Sequence, residues 1–167
     1  MKRIRYIPYT KNMIANLVMV VATHKLFRAK NIDTMENIVL VSLAKYKILG
    51  PSSNNKSNRV GFSQEMKDAI LNNKSTEFAI LHNHPNNGGL SIMDLAAFIR
   101  HPNLKILVAV TNNLEHFYVL YKRNTTSEIE ESAWRYFDNL ARAGYGHRSA
   151  NSYRELLESN GFIMEVY

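Results

Sequence analysis

Apolar runs and amphipathic segments alternate along most of the chain. Four runs rich in β-branched and aliphatic residues are typical of buried strands: NIVLVSL (37–43), EFAIL (77–81), LKILVAVT (104–111) and HFYVLY (116–121). Three segments with helical spacing of apolar residues begin at serines 63, 91 and 127. Strands that are interleaved with helices predict an α/β fold with a mixed central β-sheet flanked by helices.

Shorter elements are expected between and after these runs. In the helix that begins at Ser63, the apolar residues Met66, Ile70 and Leu71 share one face. The remaining predicted elements are a strand or strand extension at 45–49, a loop at 50–59, a short strand at 60–62, a helix near 149–159 and a final strand at 162–167.

The N-terminal segment is expected to form an amphipathic helix from Thr10 to about residue 29. Ile14, Leu17, Val18 and Val21 follow the i, i+3, i+4, i+7 spacing of one helix face. The basic start followed by an apolar run resembles a signal peptide, but the polar stretch 6–12 and the poor cleavage site at 22–24 favour the helix. No run of about 18 apolar residues occurs, so no membrane span is expected.

Composition narrows the range of chemistry. A chain of 167 residues with 46% hydrophobic residues is long enough for one domain with a buried core. It has no cysteine, which excludes disulfides, thiolate metal ligands and a cysteine nucleophile. The lack of cysteine also fits a reducing compartment, and we expect a cytoplasmic location.

The net charge of +7 is concentrated at the N-terminus. No acidic residue precedes Asp33, whereas seven basic ones do, and the rest of the chain is balanced. This basic arm can contact phosphate, an anionic membrane surface or an acidic partner, or it can be a solvated helix face. We consider the first four basic residues of this arm for nucleic-acid or partner binding: Lys2, Arg3, Arg5 and Lys11.

The segment HNHPNNGGLSIMD (82–94) contains the candidate chemistry. In an extended backbone His82 and His84 point to the same side, at the carboxyl end of a predicted strand. Ser91 begins a helix whose first turn can bring Asp94 back toward them. Three protein ligands with a fourth position open to water are the pattern of a catalytic zinc site. Taken singly, the same parts are ordinary histidines, a turn and a helix cap.

The combination resembles the motif of the JAMM (MPN+/JAB) metalloproteases. An asparagine between the two histidines, here Asn83, is similar to the motif of the RadC-like and phage-like prokaryotic branch of that family. Five residues separate Pro85 from Ser91, where most members have six or seven. The resemblance covers about 35–121 and implies a JAB/MPN (cytidine-deaminase-like) core at 35–122. Residues 1–34 are then a basic helical extension packed on it, and 123–167 are C-terminal helices and a possible last strand of the same domain.

The resemblance also implies roles for individual residues. His82, His84 and Asp94 hold Zn²⁺, and Ser91 donates a hydrogen bond to the oxyanion. A glutamate near the start of an early strand acts as general base, and Glu36 fits that place. The other candidates for this base are Glu65, in a predicted exposed helix, and Glu77, at the far end of the strand that carries His82.

Three functions remain open from the sequence. The first is a zinc-dependent peptidase or isopeptidase that acts on a protein or peptide with an extended tail, and the intact ligand set favours it. The second is a RadC-like, non-proteolytic binding module that contacts DNA or a protein partner through the basic arm. The third is an assembly protein that uses the aromatic-rich residues after Lys122 as its contact surface.

Overall fold

The computed structural model describes residues 13–53 and 61–167, with the side chains of the first helix from residue 17 onward. These residues form one six-stranded sheet in the order β2-β1-β3-β4-β5-β6. The strands are β1 (Ile38–Ser42), β2 (Ile48–Ser52), β3 (Phe78–His84), β4 (Leu104–Thr111), β5 (Phe117–Lys122) and β6 (Phe162–Val166). The α-helices are α1 (Met13–Leu26), α2 (Gln64–Asn72), α3 (Ile92–Ile99), α4 (Ser127–Leu140) and α5 (Arg154–Ser159). The predicted α/β class with a mixed sheet is confirmed.

The sheet has one parallel pair among the described strands, β3 with β4, and its other neighbours are antiparallel. Parallel neighbours need a crossover, and α3 supplies it. Because α3 follows β3 after a short turn, its first residues lie beside the carboxyl end of β3. This connection brings the two halves of the 82–94 segment together.

Side-chain alternation divides the sheet between two apolar layers. Ile38, Ile80 and Leu107 point to one face, where α2 to α5 pack. The neighbouring residues Leu81 and Val108 point to the other face, which α1 covers. All the residues of β1 and β3 are buried, so both faces of the sheet centre are closed to water.

Helix α1 exists as predicted, but the expected face is not the one that packs. Met19, Ala22 and Leu26 are fully buried against the sheet, whereas Leu17 and Val21 are 53% and 56% exposed. Apolar residues surround most of this helix, so their spacing does not single out one stripe. Thr10, where the helix was expected to begin, lies outside the described residues. No helix in the described ranges is long and apolar enough to cross a membrane.

Two smaller expectations were wrong. On α2, Met66 and Ile70 are buried but Leu71 is 58% exposed, because the helix rests on the sheet through a single narrow stripe. The bounds of the elements between β1 and α2 also differ from those expected: Gly61 and Phe62 form no strand, and of the segment 45–49 only Ile48 and Leu49 pair beside β1. Strand β2 then continues to Ser52, so the first residues of the loop predicted at 50–59 belong to the sheet. In β2, Gly50 has φ +100°, and an added Cβ would lie 2.7 Å from the carbonyl oxygen of Ile38, so this position needs glycine.

The C-terminal residues complete the core. Phe137 of α4 and Phe162 of β6 are buried in the same layer as α3. Between α4 and α5 the chain forms a π-helical turn, 141–145, and a short 3₁₀ helix, 150–153. The predicted final strand forms as β6, and it pairs with β5.

Each outer strand of the sheet is capped by a basic side chain from a helix. Lys25 of α1 donates through Nζ to the carbonyl oxygen of Ile48, at 3.3 Å. Arg154 of α5 donates to the carbonyl oxygen of Met164.

Candidate metal centre

The two histidines of the 82–94 segment lie at the carboxyl end of β3. His82 and His84 are both buried and point to the face where α3 packs, two residues on from Ile80. Their Nε2 atoms approach to 2.8 Å. The strand prediction therefore placed the pair correctly on one side of the sheet.

Asp94 reaches the histidines from the first turn of α3. Ser91 caps this helix: its side chain accepts from the backbone N–H of Asp94, and Asp94 Oδ2 accepts from the backbone N–H of Ser91 at 2.8 Å. This capping box fixes the carboxylate so that Oδ1 lies 3.5 Å from His82 Nε2 and Oδ2 lies 3.6 Å from His84 Nε2.

The three side chains could together hold a metal ion. Ligand atoms from all three lie within 4.8 Å of one another, and no other such group occurs in the ranges that the structure describes. Tetrahedral zinc with bonds of about 2.0–2.1 Å separates two ligand atoms by about 3.3 Å. Both carboxylate distances, 3.5 Å and 3.6 Å, are close to this value, whereas the two Nε2 atoms, at 2.8 Å, would have to move apart to admit the ion. His84 Nδ1 lies 2.8 Å from the carbonyl oxygen of Gly88, which fixes Nδ1 as the donor and leaves the Nε2 lone pair facing the centre.

His82 has a buried atom without a partner. Its Nδ1 makes no hydrogen bond within the described part of the chain. The carbonyl of Val108 is near enough to raise the pKa of His82, but it does not reach Nδ1 with hydrogen-bond geometry. A rotation of the ring that brought Nδ1 to this carbonyl would give His82 the backbone acceptor that metal-binding imidazoles usually have.

Burial and the charges of the three side chains set the pKa values at the centre. Burial lowers the pKa of His82, but Asp94, Glu36 and the carbonyl of Val108 together more than offset this effect, and the pKa is raised. Burial and the charge of His82 lower the pKa of His84 to about 4. The two histidines hold the pKa of Asp94 well below its usual range, against the effect of burial. The 2.8 Å separation of the two Nε2 atoms requires one proton between the histidines, beside Asp94, and a bound metal ion would replace that proton.

Glu36 lies next to this centre, just before β1. The pairing of Ile38 with His82 brings the start of β1 to the end of β3. Burial raises the pKa of Glu36 to about 7, with smaller effects from the charges of His82 and Asp94. A carboxyl whose pKa is close to neutral can both take and return a proton.

The alternative bases lie elsewhere. Glu65 is exposed on α2 and pairs with Lys47 at 3.7 Å. Glu77 is exposed just before β3, at the end of the strand opposite His82 and His84. Of the three glutamates considered, Glu36 is the one brought to the candidate ligands. Lys2, Arg3, Arg5 and Lys11 lie outside the described residues.

The hydroxyl group of Ser91 is hydrogen-bonded to the candidate ligand Asp94. Its Oγ donates to Asp94 Oδ2 at 2.8 Å, while it accepts from the Asp94 N–H at 3.2 Å. In this arrangement Ser91 orients the carboxylate. Its assignment as an oxyanion donor stays a prediction, and it requires the hydroxyl to change partner.

Two parts of the site frame were missed from the sequence. The first is Asn83, whose side chain points to the face opposite the histidines and binds the segment that carries Glu36. The second is the loop after α4. The carbonyls of Arg148 and Gly146 accept from the N–H groups of Ile92 and Met93, each at 3.0 Å, which satisfies the first turn of α3. Nothing in the spacing of the motif points to either one.

Comparisons with known proteins add no assignment. No protein-family model matches the chain, and no curated protein matches it. The interpretation of the site therefore depends on its geometry and on the motif itself.

Proposed function

We propose that the chain is a zinc-dependent metallopeptidase or isopeptidase of the JAMM type, built on a JAB/MPN core. One observation carries the proposal: the ligand atoms of His82, His84 and Asp94 converge within 4.8 Å. The raised pKa of Glu36, about 7, supports it, because it supplies a proton acceptor beside the ligand set. The substrate class is a protein or peptide with an extended tail, and the expected location is the cytoplasm.

The ligand set has a defined task in this proposal. His84 and Asp94 present lone pairs whose directions are fixed by Gly88 and Ser91. His82 presents Nε2 once its proton has left. A bound zinc ion supplies a water of lowered pKa and polarises the carbonyl of the scissile amide. The three protein ligands leave a fourth position for the reacting groups.

Glu36 moves the proton. Its carboxylate takes one hydrogen from the attacking water as the water oxygen bonds to the amide carbon. The carbon–nitrogen bond then breaks, and Glu36 returns that hydrogen to the leaving nitrogen. Ser91 is assigned to the developing negative charge on the carbonyl oxygen, after its hydroxyl leaves Asp94.

The first experiment measures metal. Protein purified without chelator or metal-affinity tag should contain about one zinc per chain by mass spectrometry, and His84→Ala should lose it. His116→Ala is the matched control, because this exposed histidine lies outside the ligand group. No metal in the unaltered chain, even after zinc is added, would refute the proposal.

The second experiment measures hydrolysis. A library of proteins with extended tails and of isopeptide conjugates is incubated with the zinc-loaded chain and with zinc-loaded Glu36→Gln. Cleavage by the first and a loss of about 10²–10⁴-fold in the second would support Glu36 as the base. Equal cleavage by both would assign the activity to something else.

A further inference from the structure

The side chain of Asn83 holds the segment that leads into β1. Its Oδ1 accepts from the backbone N–H of Asn37 at 2.7 Å. Its Nδ2 donates to the carbonyl oxygens of Ile32 and Met35, at 2.9 Å and 3.0 Å. Asn83 is fully buried, so water does not compete for these bonds.

Asn112 reinforces this contact from the next strand. It follows β4, the parallel neighbour of β3. Its Oδ1 accepts from Asn83 Nδ2 at 3.0 Å, and its own Nδ2 donates to the carbonyl oxygen of Ile32 at 2.8 Å. Two amides from adjacent strand ends therefore converge on one carbonyl.

These hydrogen bonds lie on the face of the sheet opposite the candidate metal ligands. Strand alternation sends Asn83 to the α1 face of the sheet, whereas His82 and His84 point to the α3 face. Regular pairing of β1 begins at Ile38. Besides the bonds to the Asn83 amide, the backbone just before it makes three others: the Asn83 N–H donates to the carbonyl of Asn37 at 3.2 Å, the Met35 N–H donates to the carbonyl of Asn31 at 2.9 Å, and Asn37 Nδ2 donates to the carbonyl of Met35 at 3.1 Å. Of these, only the first ties the segment to β3.

Glu36 lies between Met35 and Asn37, and both neighbours are bonded to the Asn83 side chain. We propose that Asn83, supported by Asn112, is a positioning residue that fixes the Glu36 carboxyl against the metal centre. The inference rests on the proposed function, because it needs Glu36 to act at that centre. It gives the residue between the two histidines a task distinct from holding metal.

The test uses cobalt(II) as the metal probe, because its visible absorption bands respond to the groups around the ion. Five chains are compared: unaltered, Glu36→Gln, Asn112→Ala, the double variant of these two, and Asn113→Ala. Asn112 is preferred to Asn83 because it is half-buried and more easily replaced. Asn113 is the control, since it is the next residue in the chain and its side-chain Nδ2 donates to Glu115 at 2.7 Å.

A positioning role predicts a non-additive pattern. Each chain should bind about one cobalt, and affinities should agree within about threefold, because the ligands are untouched. Asn112→Ala should shift the bands as Glu36→Gln does, and the double variant should match Glu36→Gln alone. Asn113→Ala should match the unaltered chain. With a cleavable substrate, Asn112→Ala should lower kcat by about 10–100-fold and leave KM unchanged.

Several results would overturn the inference. One is an unchanged spectrum in either Asn112→Ala or Glu36→Gln. Another is a shift from Asn112→Ala that persists on the Glu36→Gln background, since a purely structural role would add in this way. Asn112→Ser, which keeps a hydroxyl, serves as the second variant if Asn112→Ala does not fold. Absence of cobalt from the unaltered chain would refute the proposed function as well, whereas cobalt binding without coupling would refute only the positioning role.

Discussion

Lys122, at the end of β5, provides a sharp test of how the core supports α3. Its Nζ is fully buried and donates to Glu130 Oε2 at 2.9 Å. It also donates to the carbonyl oxygens of Ile99 and His101, at 3.3 Å and 2.7 Å, and so caps the end of the helix that carries Asp94. Lys122→Met keeps a similar volume and removes all three bonds.

The expected loss is large because a buried charge is left behind. Breaking a buried ion pair by removing one partner costs about 3–5 kcal/mol, since Glu130 keeps its charge without a cation. For a chain of this size each kcal/mol lowers Tm by about 2–4 °C, so a drop of roughly 6–20 °C follows. Adding Glu130→Leu should recover part of the loss. About 1–3 kcal/mol should remain, because the two helix-end carbonyls still lack a donor.

A pH series gives the same perturbation a second signature. Burial lowers the pKa of Lys122 from 10.5 to about 8, although Glu130 opposes the shift. Between those values the unfolded chain keeps a proton that the folded chain has released, so the free energy of unfolding rises with pH. The increase in the free energy of unfolding that Lys122 contributes is absent below about pH 8 and reaches about 3 kcal/mol near pH 10.5. The difference between the unaltered chain and Lys122→Met should therefore widen with pH.

Urea denaturation followed by circular dichroism measures both effects. Arg135→Met is the control, because its pair with Glu131 is exposed on α4 and should contribute less than about 1 kcal/mol. A loss below about 1 kcal/mol for Lys122→Met would refute the reasoning. So would a difference that stays constant from pH 7 to about 10.5.

Three further outcomes are expected. Zinc at about 100 times its Kd should stabilise the chain by about 2.7 kcal/mol, or roughly 5–11 °C in Tm, and a chelator or His84→Ala should abolish the shift in a thermal melt. Ser91→Ala should lower the free energy of unfolding by about 1 kcal/mol, because the helix cap is lost, and should weaken zinc binding by about 10–100-fold in a chelator competition. Ser91→Thr should largely keep both properties. An unchanged zinc affinity in Ser91→Ala would mean that the hydroxyl does not orient Asp94. Leu26→Ala should cost about 2–5 kcal/mol in urea and Val21→Ala less than about 0.5, and equal losses would contradict the packing of α1.

The elements that the sequence predicts well are those that depend on near neighbours. The buried strands follow from runs of β-branched residues, and both faces of β1 and β3 are covered. The candidate ligands also lie within one short segment, 82–94. Strand alternation orients His82 and His84, and a helix cap orients Asp94, so local rules are sufficient to bring them together.

What the sequence leaves open depends on pairing between distant segments. The place of Glu36 follows from the antiparallel register of β1 with β3, which no local pattern specifies. From the residues alone Glu65 and Glu77 were also candidates. The role of Asn83 was equally hidden, because its partners Asn37 and Ile32 precede it by 46 and 51 residues in the sequence.

The face of α1 was missed for a different reason. In MIANLVMVVATHKL most positions carry apolar side chains that could be buried. The contacts with the sheet therefore decide which face of the helix packs, and the spacing of the apolar residues does not. The contribution of the loop after α4 was missed because backbone carbonyls carry no residue-specific signal. Its link to α3 depends on the path of the chain and not on the side chains of Gly146 or Arg148.

The basic caps at the two outer strands limit how far this sheet can grow. Unpaired edge strands present backbone groups to which other chains can add, and this is a common route to aggregation. Here Lys25 occupies the carbonyl of Ile48 on β2, and Arg154 occupies that of Met164 on β6. Pro51 further removes a donor from β2. A strand added at either end would have to displace a charged hydrogen bond, so neutralising Lys25 or Arg154 exposes a template for polymerisation.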